Sequence, residues 1–293
     1  MEIRVLLDTC AIRSHIHQHP WLLPISELRA RLDVIKVSIA DSAMAELFEQ
    51  RVQNRIPNWN ERIGEIDSIL DPEQPVFPGG SELAVLSGTQ LGEEPNREDR
   101  TQYYRTGWQL LRDAGDLSEL QRPHTFKTSD GRTMRITLDP GRLQNVMADE
   151  RDAWVAFIER MENILGPDTS PTRKQILDIA QTGLRSQQPT DPPDIADKLD
   201  GVVQVLASFI HMRTTGSTPY NPRAEHRRGD VFDWSLLFAL PLPAIICTAD
   251  TTFVNRFRAL NSHQASQVVN MEEFSDRVAN DSLLELLPHI DIA

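Results

Sequence analysis

The fold is decided by residues 229–253, GDVFDWSLLFALPLPAIICTADTTF. At the centre of this stretch, AIICT (244–248) is short and apolar, which predicts a buried strand. The segments on either side, DVFDWSLLFAL (230–240) and TTFVNRFRAL (251–260), have the spacing of helices. Strands that alternate with helices indicate a parallel sheet covered on both faces.

The N-terminal part of the chain has the same pattern. IRVLL (3–7) predicts a buried strand that ends at Asp8, and VIKVSI (34–39) predicts a second strand. A helix follows at 40–52, with Asp41 or Ser42 as its N-cap. QVVN (267–270) and MEEFSDRVA (271–279) add a last strand and helix. We therefore predict an α/β fold with a doubly wound parallel sheet, built from residues 1–55 and 225–293.

The middle of the chain, residues 56–224, is predicted to be a mostly helical insertion that contains a small β-hairpin. EQPVFPGGSE (73–82) and LGEEPNRED (91–99) are predicted loops because of their Pro and Gly content. The hairpin is expected at 124–138 around Asp130-Gly131. Helices are predicted at 141–165, 171–184 and 194–212, with a linker at 187–194.

Composition narrows the function classes. The chain has 293 residues and a net charge of −13, which argues against binding polyanions over its whole surface. Its two cysteines, Cys10 and Cys247, are expected to be buried and unpaired. We see neither a signal peptide nor a membrane-spanning run, so we expect a cytoplasmic protein without a membrane partner.

Carboxylates cluster at one predicted edge of the sheet. Asp8 ends the first strand and Asp250 follows the strand 244–248, so both lie at the carboxyl ends of parallel strands, where ligands bind. Asp230 and Asp233 share one helical face, and Glu46 lies early in the helix after the second strand. Each acid alone is explained as a helix cap, a turn residue or an exposed side chain. Together they predict an oxygen-only site for Mg²⁺ or Mn²⁺, because like charges crowded together repel unless a cation binds them.

These residues also carry a family resemblance. VLLDTCAI, IADSAMAELFEQR, GDVFDWSLLFALPLPAIICTADTTF and VVNMEEF resemble, in this order, the motifs of PIN-domain nucleases. The most specific part is T-x-D-x-x-F, formed by Thr248, Asp250 and Phe253. The resemblance implies a PIN-like fold and a Mg²⁺- or Mn²⁺-dependent ribonuclease, often a bacterial toxin that a cognate antitoxin blocks, and such domains commonly form homodimers.

Transferred to this chain, the resemblance implies a catalytic and metal-binding set of acids, with Asp230 as a further metal ligand and two threonines in supporting roles. Basic side chains beside the acids would hold flanking phosphates of an RNA substrate. The acids are Asp8, Glu46, Asp233 and Asp250; the threonines are Thr9 and Thr248; the basic residues are Arg227, Arg228 and Arg256.

Two other functions stay open at this point. The first is a PIN-like module that binds a protein partner and has weak or no nuclease activity, which the net charge and the long insertion favour. The second is a nuclease for structured DNA, which needs the same chemistry. Two further groups have competing interpretations. The histidines at 15, 17 and 19 are read as solvated rather than as a metal tract, and Trp154 and the pair Tyr103-Tyr104 as packing residues rather than base-stacking ones.

Overall fold

The computed structural model describes residues 2–79, 96–165, 174–175, 178, 199–215, 220–224, 227, 229–260 and 262–287. The predicted α/β class is confirmed, because a five-stranded parallel sheet lies among flanking helices. The order of strands across this sheet is β3-β2-β1-β6-β7. The described strands are β1 Ile3–Leu7, β2 Ile35–Ala40, β3 Val76–Phe77, β4 His124–Lys127, β5 Thr133–Ile136, β6 Ala244–Thr248 and β7 Val268–Asn270.

Strand β1 lies in the centre of the sheet and joins the two ends of the chain. Leu7 is in register with Ile39 of β2 on one side and with Cys247 of β6 on the other. These three residues are fully buried, as expected for parallel strands covered on both faces. The apolar, largely β-branched sequences of the central strands therefore follow from their position.

The path of the chain through the sheet fixes where a ligand would bind. From β1 the chain moves outward through β2 to β3, whereas β6 and β7 extend the sheet in the opposite direction. The order reverses between β1 and β6, and ligands of open α/β sheets bind outside the carboxyl ends of the strands at such a point. Asp8 directly follows β1, and Asp250 lies two residues after β6.

The helices near this edge start close to the ends of their strands. Helix α3 begins at Asp41, immediately after β2, and its N-cap is Ala40. The predicted N-cap at Asp41 or Ser42 was therefore wrong, because no loop separates strand from helix. The described α-helices are α1 Thr9–Ile16, α2 Ile25–Arg29, α3 Asp41–Val52, α4 Trp59–Asp67, α5 Arg97–Asp113, α6 Leu117–Leu120, α7 Pro140–Leu165, α8 Asp200–Thr215, α9 Asp230–Leu236, α10 Thr251–Arg258 and α11 Met271–Ala279.

The segment 73–82, predicted as loop, contributes a strand. Val76 and Phe77 form β3, which pairs in parallel with Ile39 and Ala40 at the end of β2. Prolines at 75 and 78 flank it, and proline cannot donate a backbone hydrogen bond, so β3 stays two residues long. The predicted domain boundary at residue 55 stays a prediction, although the sheet takes this strand from beyond it.

Three predicted elements of the insertion are confirmed, and one of them, the helix predicted at 194–212, is found as α8, Asp200–Thr215. The hairpin consists of β4 and β5, and Gly131 in its turn has a φ of 83°, which glycine adopts without strain. The long helix is α7, one residue longer at its start than predicted. The predicted linker at 187–194 and most of the predicted helix at 171–184 lie outside the described residues. Within the described ranges, the helices are all too short or too polar to cross a membrane.

Candidate metal-binding site

The first acid, Asp8, is held rigidly at the end of β1. Its Oδ1 accepts a hydrogen bond of 2.6 Å from the backbone N–H of Thr9, so Asp8 caps helix α1. Its Oδ2 accepts a hydrogen bond of 2.9 Å from the hydroxyl of Thr248. The side chain is 8% exposed. Both carboxylate oxygens are thus oriented by the protein, and each retains a lone pair for a further contact.

Thr248 connects Asp8 to Asp250. Its hydroxyl donates to Asp8 and also accepts a hydrogen bond of 3.0 Å from the backbone N–H of Asp250. Asp250 in turn caps α10, because its Oδ1 accepts a 2.9 Å hydrogen bond from the N–H of Phe253. Asp8 and Asp250 therefore each cap a helix. Thr248 connects the two caps at one edge of the sheet.

Two helices bring further acids to this edge. Glu46 lies in the second turn of α3 and is half-buried. Asp233 lies in the first turn of α9, where the helix dipole favours negative charge, and is also half-buried. The N-cap of α9 is Gly229, so neither Asp230 nor Asp233 caps this helix. Capping therefore does not explain Asp233.

The charges of these acids act on one another. Loss of hydration, followed by the charges of Asp8, Asp230, Asp250 and Glu46, raises the pKa of Asp233 well above its ordinary value. Burial and then the charge of Asp8 raise the pKa of Glu46. The hydrogen bonds of Thr248 link Asp8 and Asp250 from the two chain ends, and the metal-binding role of the four acids stays a prediction.

The pKa of Asp8 reflects competing influences. Burial raises the pKa of this carboxyl, and the charge of Asp250 adds to the increase. The hydrogen bonds from Thr248, Thr9 and the backbone of Cys10 lower the pKa and oppose the effect of burial. At Asp8 hydrogen bonds thus oppose the effect of burial, whereas at Asp233 burial and the neighbouring charges all raise the pKa.

Asp230 lies at the side of this group. Its Oδ2 is 3.7 Å from the guanidinium of Arg227, one turn earlier in the chain. The guanidinium of Arg227 also lies over the ring of Tyr220, 5.5 Å from its centroid. Arg227 therefore already pairs with an acid, as the sequence allows. Arg228 lies outside the described residues, and Arg256 is half-buried on α10 and forms no ion pair with a described residue.

Two residues of α1, Cys10 and Arg13, lie near the acids although the sequence did not place them there. Cys10, expected to be buried, is exposed, because it lies in the first turn of α1 and not in a strand. Restricted hydration and then the charges of the surrounding acids raise the pKa of its thiol strongly. Arg13, one turn later, lowers the pKa of Glu46 by its charge. Its position one turn after Cys10 could have predicted that it lies near the acids. Cys247 is buried and both cysteines are free, as predicted.

The histidines of the 15–19 tract lie apart from the acids. His15, expected to be solvated, is buried in α1, and its Nε2 is 3.0 Å from a carboxylate oxygen of Glu65 on α4. His17 and His19 are exposed beyond the end of α1. Because α1 starts at the acidic edge and runs away from it, these histidines lie towards the opposite edge of the sheet.

The donor set fits a hard divalent cation. It consists of carboxylate and hydroxyl oxygens, which Mg²⁺ and Mn²⁺ prefer, and a cation would relieve the repulsion that raises the pKa of Asp233. Among the residues that the structure describes, no three His, Cys, Asp or Glu side chains are already placed as a metal-binding group. Binding an ion would therefore require the carboxylates to rotate towards a common centre.

Comparison with known proteins identifies no family. No protein-family model, no curated protein and no solved structure matches this chain.

Proposed function

We propose that this chain is a metal-dependent endoribonuclease of the PIN type, which hydrolyses phosphodiester bonds of RNA at the edge of the sheet between β1 and β6. The observation that supports the proposal is the link between Asp8 and Asp250 through Thr248, close to which the charges of Glu46 and Asp233 also act. A fold gains nothing in stability by crowding four like charges, so a function that needs them is the better explanation.

The four acids would have different roles in the proposed site. Asp8 and Asp250, fixed by Thr248 and by their helix ends, would hold the cation, while Glu46 and Asp233 complete the site or orient a water molecule. When bound, Mg²⁺ or Mn²⁺ would supply the positive charge that polarises the scissile phosphate and activates water.

Thr9 supports the proposed site through its backbone, which fixes one oxygen of Asp8. Arg256, which forms no ion pair with a described residue, stays the candidate for holding a flanking phosphate. Arg227 and Asp230 pair with each other and would contribute at the side of the site.

The test is cleavage of a labelled single-stranded RNA with Mg²⁺, with Mn²⁺ and with EDTA. We expect cleavage only with metal, and a loss of at least about 10- to 100-fold in Asp8→Asn and in Asp233→Asn, since even outer-shell partners of a metal cost that much. The matched control is Glu272→Gln, which neutralises an exposed acid of α11 and should cleave like the wild type.

Two outcomes would replace the proposal. If the wild type and both variants behave alike with and without metal, the enzyme hypothesis is wrong and a protein-binding module remains. If DNA flaps are cut in preference to RNA in the same assay, the chemistry holds and the substrate is structured DNA.

A further inference from the structure

A cavity of about 530 Å³ lies beside the acidic edge, between helices α3, α5, α7 and α9. Its volume falls in the range of roughly 300–1,000 Å³ that small-ligand sites occupy. Its lining is predominantly apolar. Part of the lining consists of Met147, Tyr103, Trp154, Phe157, Trp234 and Phe238.

Aromatic rings form one wall of this cavity. The rings of Trp154 and Trp234 lie 4.9 Å apart between centroids, and Phe157 lies 6.2 Å from Trp234 at an angle of 30°. Trp154 is buried, as predicted for a packing residue, but Phe157 and Trp234 are only half-buried. Half-buried aromatic rings around an open space provide flat faces on which another planar group can stack.

The lining of the cavity also carries polar groups. The guanidinium of Arg100 lies 5.4 Å from the ring centroids of both Tyr103 and Tyr104. Glu150 lines the rim on α7 and is exposed to solvent. A planar guanidinium, aromatic faces and a carboxylate that accepts N–H donors suit a flat heterocycle with hydrogen-bonding edges.

The cavity and the acidic site share two helices. On α3, Ala45 lines the cavity and the next residue, Glu46, belongs to the acids. On α9, Phe232 and Trp234 line the cavity on either side of Asp233. Residues that line the cavity are therefore direct neighbours in sequence of two of the acids.

We propose that this cavity is the subsite for one unpaired base of the RNA substrate, adjacent to the scissile phosphate. The proposal rests on the proposed function, since it gives that function a substrate class, single-stranded rather than duplex RNA. A base in a duplex is paired and stacked, whereas an unpaired base can turn out of the strand and stack on protein rings.

The test blocks the cavity from its rim and measures binding without catalysis. Ala153 is exposed on α7 and lines the cavity, while Ala156 is exposed on the same helix and does not line it. We expect Ala153→Trp to weaken the Kd for a fluorescent single-stranded RNA in EDTA by about 5- to 150-fold, the value of one stacked base. Ala156→Trp adds the same side chain and should leave the Kd unchanged.

Oligonucleotides that lack one base at successive positions identify the bound base. One such oligonucleotide should bind the wild type more weakly by the same factor. Its affinity should not fall further in Ala153→Trp, because the missing base and the substitution remove the same contact. Thermal unfolding of both tryptophan variants verifies that they fold.

The outcomes separate this inference from the proposed function. If wild type and Ala153→Trp bind single-stranded RNA equally, or if neither binds it, the subsite is refuted, whatever cleavage shows. If binding depends on Ala153 and on one base but no RNA is cut with any metal, the subsite stands and the nuclease is refuted. If only an apolar peptide or dye competes at Ala153, the cavity serves a protein or apolar ligand and the inference is wrong.

Discussion

Replacing Thr248 with valine tests the connection on which the candidate site depends. The hydroxyl of Thr248 donates to the carboxylate of Asp8 and accepts the backbone N–H of Asp250, and the side chain is 1% exposed. Valine has nearly the same volume, so the change opens no cavity and removes only these two hydrogen bonds. It leaves a buried carboxylate with one partner fewer, and a backbone donor that water reaches only in part.

The expected cost follows from the two lost contacts. A hydrogen bond to a charged group contributes about 1.5–3 kcal/mol, and a neutral one about 0.5–1.5 kcal/mol. We expect Thr248→Val to lower the free energy of unfolding by about 2–4 kcal/mol, slightly less than the largest sum because valine buries an additional methyl group. In the double variant with Asp8→Asn the cost should fall, because the charge that strengthens the bond is gone.

The measurement is urea unfolding followed by circular dichroism at pH 7.5 in EDTA. The matched control is Thr252→Val, an exposed threonine of α10, which should stay within about 0.5 kcal/mol of the wild type. A shift of the urea midpoint with an unchanged m-value reports stability. If Thr248→Val unfolds at the same midpoint as Thr252→Val, Thr248 does not hold Asp8 and Asp250 together, and the rigid edge described above is wrong.

Two further predictions concern the repulsion among the acids. The pKa of Asp233 is higher in the folded protein than in the unfolded chain, so its destabilising effect is absent below the unfolded pKa and grows as the pH rises through the folded one. Asp233→Asn should therefore raise the thermal midpoint at pH 7 in EDTA and gain less than the wild type from Mn²⁺; a lowered midpoint in EDTA would contradict the crowding. Because the same acids raise the pKa of Cys10, iodoacetamide at pH 8 in EDTA should alkylate this exposed thiol slowly, and faster in Asp233→Asn, as measured by mass spectrometry. Equal rates would mean that Asp233 lies too far from Cys10 to act on it, and Cys10→Ser identifies the alkylated site.

The sheet was predictable because its central strands are short apolar runs, and β1 and β6 are followed by the helix-capping residues Asp8 and Asp250. The periodicity of the apolar residues predicted the strands and helices, and the positions of Asp8 and Asp250 after their strands predicted the edge at which they lie. Asp233 and Glu46 followed from their place near the starts of helices. What could be predicted was therefore the set of elements that meet at one edge.

The missed elements lack such local signals. Strand β3 has only two residues between prolines, and its pairing with β2 depends on tertiary contact. Helix α5 buries Tyr104, Trp108 and Leu111 at helical spacing, but the segment before it is rich in Gly, Pro and Glu and suggested loops. The cavity could not be predicted, since its wall combines side chains from four helices that the sequence does not place together.

The position of β1 has a consequence for the synthesis of the protein. Asp8 is synthesised 240 positions before its partner Thr248. At 5–20 residues per second, roughly 12–48 s pass between the two. Until then the first strand lacks its neighbour on one side. Some of the acids have also not yet been synthesised. The proposed nuclease would therefore stay inert beside the RNA that encodes it until Thr248 and Asp250 have been synthesised.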